Sequence, residues 1–133
     1  MRKEIIRGCH DVPLLTRWIL AEGRWGKVMF HRFHRSDEDR EHHDHPWNFW
    51  TVILWRGYVE ETLSGQRRLW PGTVRWRSGI WRHRVLLVKD RQGRERESWS
   101  LVFAGPRVRD WGFWTDRGWV FWKTFIDSDR CGS

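Results

Sequence analysis

Apolar and polar residues alternate along most of this chain with a period of two, the spacing of strands that bury one face. Residues 26–33, 48–55, 58–63, 73–76, 83–88, 98–103 and 119–125 are rich in valine, isoleucine, threonine and aromatic rings, and predict strands. Turn signals separate them: Arg56-Gly57, Ser64-Gly65, Pro71-Gly72, Ser78-Gly79, Asp90-Arg91-Gln92-Gly93 and Gly105-Pro106. Many short strands at this spacing predict an all-β sandwich or barrel. Residues 12–22 are a candidate short helix, although Thr16-Arg17-Trp18-Ile19-Leu20 reads equally as an edge strand. The acidic stretch Ser36-Asp37-Glu38-Asp39-Arg40 is a connection.

A length of 133 residues suits one domain, 1–133, with a modest core. No stretch is long and apolar enough to span a bilayer, and Met1-Arg2-Lys3-Glu4-Ile5-Ile6 lacks the apolar run of a secretory signal, so a cytoplasmic protein without membrane association is expected. Cys9 and Cys131 lie near opposite ends in no metal-binding spacing. They are expected to be free thiols, with a clamp between the ends as the alternative.

Charge adds a second class of function to weigh. The net charge is +8, and 21 of the 25 basic residues are arginines spread along the chain among thirteen tryptophans. Interleaved arginine and tryptophan can stack single-stranded nucleic acid. Trp76, Trp81, Trp99 and Trp122, however, stand in alternating apolar segments, where a large ring is read as core. Non-specific nucleic-acid adhesion at low salt is therefore expected before a dedicated nucleic-acid function. Open strand edges and aromatic surface also lead us to expect a homodimer.

The chemistry concentrates in His43-Asp44-His45-Pro46-Trp47, with His83 after the Pro71-Gly72 turn. In an extended strand His43 and His45 share a face, so two imidazoles can aim at one point while Asp44 looks away. A third ligand from a distant strand would complete an N₃ set and leave coordination positions open. Two alternatives stand beside this reading: Glu41-His42-His43-Asp44-His45 as a solvated loop, and His42, Asp44 and His83 as a two-histidine, one-carboxylate triad on the opposite parity. His31, Trp50, Glu60 and Phe103 are candidates to line a substrate pocket, and Glu60 reads otherwise as a solvated hairpin acid beside Arg56. Arg107 and Arg109 could anchor the Asp110-Trp111-Gly112 turn or a substrate anion. No Ser-His-Asp ordering, phosphate loop or dinucleotide glycine motif is present.

His43-x-His45, Gly57, Gly72, Gly79 and His83 together resemble the paired motifs of the cupin superfamily. Phe33-His34-Arg35-Ser36-Asp37, Gly105-Pro106-Arg107-Val108-Arg109-Asp110-Trp111-Gly112-Phe113 and Gly118-Trp119-Val120 are similar to segments of small bacterial and phage cupins. The resemblance implies a double-stranded β-helix, a jelly-roll barrel, with His43, His45 and His83 as metal ligands. Counting back from Gly57, the place where that family carries a glutamate ligand falls on Trp50, which cannot ligate, so the resemblance implies three neutral histidines or else an acid recruited from elsewhere, such as Glu60. Three neutral histidines would leave the full charge of a divalent transition metal, Fe, Zn, Mn or Ni, which favours an anionic ligand. The resemblance thus implies a small metal-binding cupin, as a non-haem iron dioxygenase acting on a small organic substrate. A non-catalytic module for an anionic or carbohydrate ligand is the alternative.

Overall fold

The computed structural model of the protein describes residues 1–39 and 41–128. Twelve strands follow one another in the order β1 (Arg2–Arg7), β2 (Pro13–Gly23), β3 (Gly26–Phe33), β4 (His42–His43), β5 (Phe49–Trp55), β6 (Tyr58–Thr62), β7 (Gly65–Leu69), β8 (Val74–Arg77), β9 (Arg84–Leu87), β10 (Ser98–Ala104), β11 (Gly112–Thr115) and β12 (Gly118–Phe121), before a short helix α1 (Trp122–Ser128). One sheet has the order β1-β2-β3-β10-β5-β8. The others are β12-β11-β4 and β7-β6-β9, and every pairing is antiparallel.

The two smaller sheets meet at one backbone contact. His43 N–H donates to the His83 carbonyl at 2.9 Å and His83 N–H donates to the His43 carbonyl at 3.0 Å. This pair places β4 beside the start of β9, so the two sheets act as one face opposite the six-stranded sheet. Ile53 of the large sheet packs with Tyr58, Leu69, Val85 and Leu87 of the small one. A second cluster, Ile19, Met29, Trp47, Phe49, Val102 and Ala104, closes the other end of the large sheet's inner face. Burying such apolar surface contributes about 25 cal/mol per Å². Gly57, with φ +73°, makes the turn between β5 and β6, and a Cβ there would stand 2.0 Å from the Leu69 carbonyl.

Several expectations need correction. Residues 13–22 are strand, neither helix nor sheet edge, because Pro13–Gly23 pairs with β1 on one side and β3 on the other. The predicted strand 119–125 ends at Phe121 and turns helical: Trp122 stacks on Trp111 at 5.7 Å and Phe125 on Phe113 at 4.0 Å, a three-residue spacing that only a helix satisfies. Trp76 is exposed rather than core, while Trp99 stacks on Trp18 at 6.1 Å on the outer face of the large sheet. Cys9 is disulfide-bonded rather than free, and Cys131 lies outside the described residues. No helix among the described residues is long and apolar enough to cross a membrane.

Asp44 braces the back of this arrangement. It is 1 % exposed, and its carboxylate accepts from Gly112 N–H (2.8 Å), Trp114 Nε1 (3.2 Å) and Trp119 Nε1 (3.0 Å) while pairing with Arg109 at 3.0 Å. One acid thus ties β4 to β11, β12 and the segment before them. Removing it would leave a part-buried guanidinium and three donors without their acceptor. We expect Asp44→Ala to lose about 3 kcal/mol or more of unfolding free energy in urea, and Asp44→Asn, which keeps an acceptor oxygen, to lose less. An unchanged denaturation midpoint in Asp44→Ala would show that the brace carries no stability.

Candidate metal centre

Strand parity builds the site. His43, His45, Trp47, Phe49, Thr51 and Ile53 follow at every second position, and all six face inward although Pro46 interrupts the strand. His83 stands directly opposite His43 in an antiparallel hydrogen-bonded pair, the register that sets side chains of facing residues side by side. His45 lies two residues along, held by its N–H to the Gly79 carbonyl (2.9 Å), with Arg109 Nη1 donating to the His45 carbonyl at 3.1 Å. The approach at Gly79 is close: a Cβ there would stand 3.0 Å from the His45 carbonyl oxygen, so the neighbouring backbone would have to give by a few tenths of an ångström.

The three imidazoles form a nearly equilateral triangle, with ring centroids 5.2 Å (His43–His45), 4.9 Å (His43–His83) and 4.9 Å (His45–His83) apart. Each offers a ring nitrogen within 4.8 Å of the other two, compatible with one ion at about 2.1 Å from each nitrogen after small rotations. Burial pushes His43 down to about 4, with Asp37 opposing and His83 adding to the shift, and it holds His45 well below the ordinary histidine value together with the charges of His83 and His43. Neutral imidazoles with free lone pairs are the form that a metal requires.

Glu60 stands behind this triangle. It is buried, accepts from His83 Nδ1 at 2.7 Å and Trp81 Nε1 at 3.2 Å, and pairs with Arg77 at 2.9 Å. Burial alone would raise its carboxyl, but the hydrogen bonds and charges of His83 and Arg77 outweigh that and hold it at about 2. It is therefore neither a solvated hairpin acid nor an open pocket wall; it is an anion that fixes the ring of His83.

The triangle lies on the wall of a cavity of about 350 Å³, which His31, Trp47, Phe49, Trp111 and Phe113 also line. Trp50 and Phe103 do not: they are opposite each other in register, point away from the cavity and are exposed, so the expectation that they line a pocket is corrected by parity. The residue facing inward where an acidic ligand would stand is Phe49, its ring 4.6 Å from that of His45. The count from Gly57 missed it because β5 carries an extra residue, Leu54, between Trp55 opposite Trp99 and Ile53 opposite Ser100. His42 faces the other way and reaches Glu61 at 3.0 Å, and Asp44 is held by its own donors, so the two-histidine, one-carboxylate arrangement is not assembled. His34 binds Thr16 and Glu97. Arg109 serves the Asp44 brace, and Arg107 pairs with Asp110 at 2.6 Å at the cavity rim. Asp37, read from the sequence only as part of an acidic connection and of a cupin-like segment, brings its carboxylate to 3.6 Å from His43 Nδ1; loop acids carry no periodic signal that would place it there.

No protein-family model and no curated protein sequence matches the chain. Solved structures do. KdgF from Halomonas sp. superposes with a TM-score of 0.59 at 17% identity, covering 81% of this chain and 90% of that one. A cupin domain from Bordetella pertussis Tohama I gives 0.51 at 16%, covering 79% and 100%. Fe(II) HppE gives 0.57 at 11%, covering 77% of this chain and 56% of the longer one. At these identities the likeness speaks for architecture alone, and it agrees with the antiparallel layers described above. The chain has the fold of the cupin superfamily, the double-stranded β-helix.

Proposed function

We propose that this protein is a metal-dependent cupin enzyme in which His43, His45 and His83 hold one divalent transition metal, Fe, Zn, Mn or Ni, and a small organic substrate enters from the cavity. The observation that carries this reading is the triangle itself: three convergent imidazoles, two of them buried and one partly buried, on a cavity wall, with Phe49 where a fourth ligand would stand. A bound ion would supply Lewis acidity and, as Fe(II), chemistry with dioxygen at its open positions. The iron named in the HppE structure, on the same fold, favours that metal.

The chain's own residues have definite parts in this reading. Glu60 accepts the Nδ1 proton of His83 and leaves the other ring nitrogen free to ligate. Asp37 holds negative charge beside His43. Trp47, Phe49, Trp111 and Phe113 keep the surroundings apolar, which strengthens any charge interaction inside.

His43→Ala, His45→Ala and His83→Ala should each abolish stoichiometric metal, measured by elemental analysis, while His34→Ala and His42→Ala retain it. Glu60→Gln should weaken metal affinity about 10- to 100-fold without removing a ligand. Full occupancy in His83→Ala would refute the ligand set.

Enzyme and non-catalytic binding module separate on coordination. Fe(II)-loaded protein should bind nitric oxide, a dioxygen surrogate, with a new visible absorption that His45→Ala abolishes. Silence from fully iron-loaded protein would overturn the dioxygenase reading and leave the binding module.

Assembly follows from the outer face of the large sheet. Trp76, Trp50 and Phe103 form one exposed row across β8, β5 and β10. An aromatic row of this kind is a surface that a second copy would cover. We expect a dimer by light scattering in the micromolar range and a monomer for Trp50→Glu; a monomeric wild type would end this part of the proposal.

A further inference from the structure

The histidine triangle occupies one part of the cavity. Another polar group lies on the six-stranded sheet. Arg17 of β2 stands opposite His31 of β3, and His31 stands opposite Ser100 of β10, so the three form one cross-strand row spanning roughly 10 Å, two strand spacings. All three line the cavity. His31 and Ser100 are 6 % and 1 % exposed. Arg17 Nε, His31 Nε2 and Ser100 Oγ are each buried with no hydrogen-bond partner among the described residues. Buried polar atoms are rarely left unpaired, and apolar side chains would suit these strand positions better if packing were their only task.

Charge divides the cavity in the same way. The groups acting on His31 are the cations Arg17 and Lys27, whereas the carboxylates Asp37, Asp39 and Asp44 act on His43. Asp44 pairs with Arg109 at 3.0 Å, and Asp37 accepts from Val85 N–H at 2.7 Å. Glu4 reaches Arg17 Nη1 only at 3.8 Å, from the strand edge, and leaves Nε unpaired. Lys27, on the inward parity of β3, lines the same region and lies 5.8 Å from the Trp47 ring. Burial together with Arg17 and Lys27 keeps His31 neutral, so its ring offers one N–H to an acceptor without adding a third charge.

We infer that Arg17, His31 and Ser100, with Lys27 beside them, form an anion subsite for one acidic end of a small organic dianion whose other end faces His43, His45 and His83. This rests on the metal reading for the second end only. A guanidinium, an imidazole N–H and a hydroxyl on one row supply the charge-assisted donors that a carboxylate or phosphate takes.

The test compares ligands that differ by one acid. Zinc-loaded protein is titrated calorimetrically with malonate, succinate and glutarate, and with the monocarboxylate of equal chain length in each case. The best dicarboxylate should bind about tenfold or more tightly than its monocarboxylate partner. Arg17→Gln should erase that preference while leaving zinc affinity unchanged. Ser100→Ala, which removes only a hydroxyl, should reduce the preference and serves as the reading if Arg17→Gln does not fold. Equal affinities in the wild type, or a preference intact in these variants, would overturn the subsite. If the wild type binds no zinc, the metal reading fails by itself, and the subsite is then judged on metal-free protein: inorganic phosphate should raise the melting temperature of the wild type and not of Arg17→Gln or, failing that, Ser100→Ala. The same rise in both, or in neither, would overturn it.

Discussion

The mutual backbone hydrogen bonds of His43 and His83 are the contact on which the rest of the architecture depends. They join the two three-stranded sheets into the face that covers the large sheet, and the same register puts two imidazoles side by side. Fold and site therefore share one constraint. A strand slipped by one residue would turn His43 outward, bring Asp44 inward without its four partners and separate the sheets at their seam. The placement of the histidines needs no loop to be ordered by a ligand, because ladder geometry sets it.

Charge balance maintains that geometry from outside the triangle. Glu60 with Arg77 supports His83, and Asp44 with Arg109 supports the strand between His43 and His45. Buried ion pairs contribute little net stability once desolvation is counted, but each fixes an orientation that apolar packing would leave free. Arg109 illustrates the economy of the arrangement: it pairs with Asp44 and also donates to the His45 carbonyl. Burial first, and the charge of the neighbouring rings after it, hold His43 and His45 well below the ordinary histidine value.

Much of this was legible in the sequence because it obeys local periodicity. The alternation across 26–33, 58–63 and 98–103 names strands that form, and His43-x-His45 shares a face because strand parity is a local property. What was not legible depends on partners distant in the chain. The bulge at Leu54 shows only in pairing with β10, and without it the count from Gly57 lands on Trp50 instead of Phe49. Glu60 looks like any hairpin acid until Arg77, Trp81 and His83 are placed around it. Residues 119–125 alternate well enough for a strand, yet from Trp122 onward rings on β11 and the segment before it select a helix by presenting stacking partners at Trp111 and Phe113.

The same logic explains why composition is an ambiguous guide to this chain's partners. Interleaved arginine and tryptophan suggest platforms for nucleic-acid bases, but several of the pairs satisfy each other: Arg68 lies 4.0 Å over Trp70, Arg77 4.2 Å over Trp81 and Arg82 4.3 Å over Trp114. A guanidinium already on a ring face occupies the place where a base would stack. Arg17 and Arg109, by contrast, serve interior anions or acids, and no linear count separates them from the surface set. What distinguishes them is parity: Arg17 falls on the inward positions of its strand, in register with His31 and Ser100, so its charge faces a cavity rather than water. Position in the ladder, more than the total of +8, decides what each positive charge can bind.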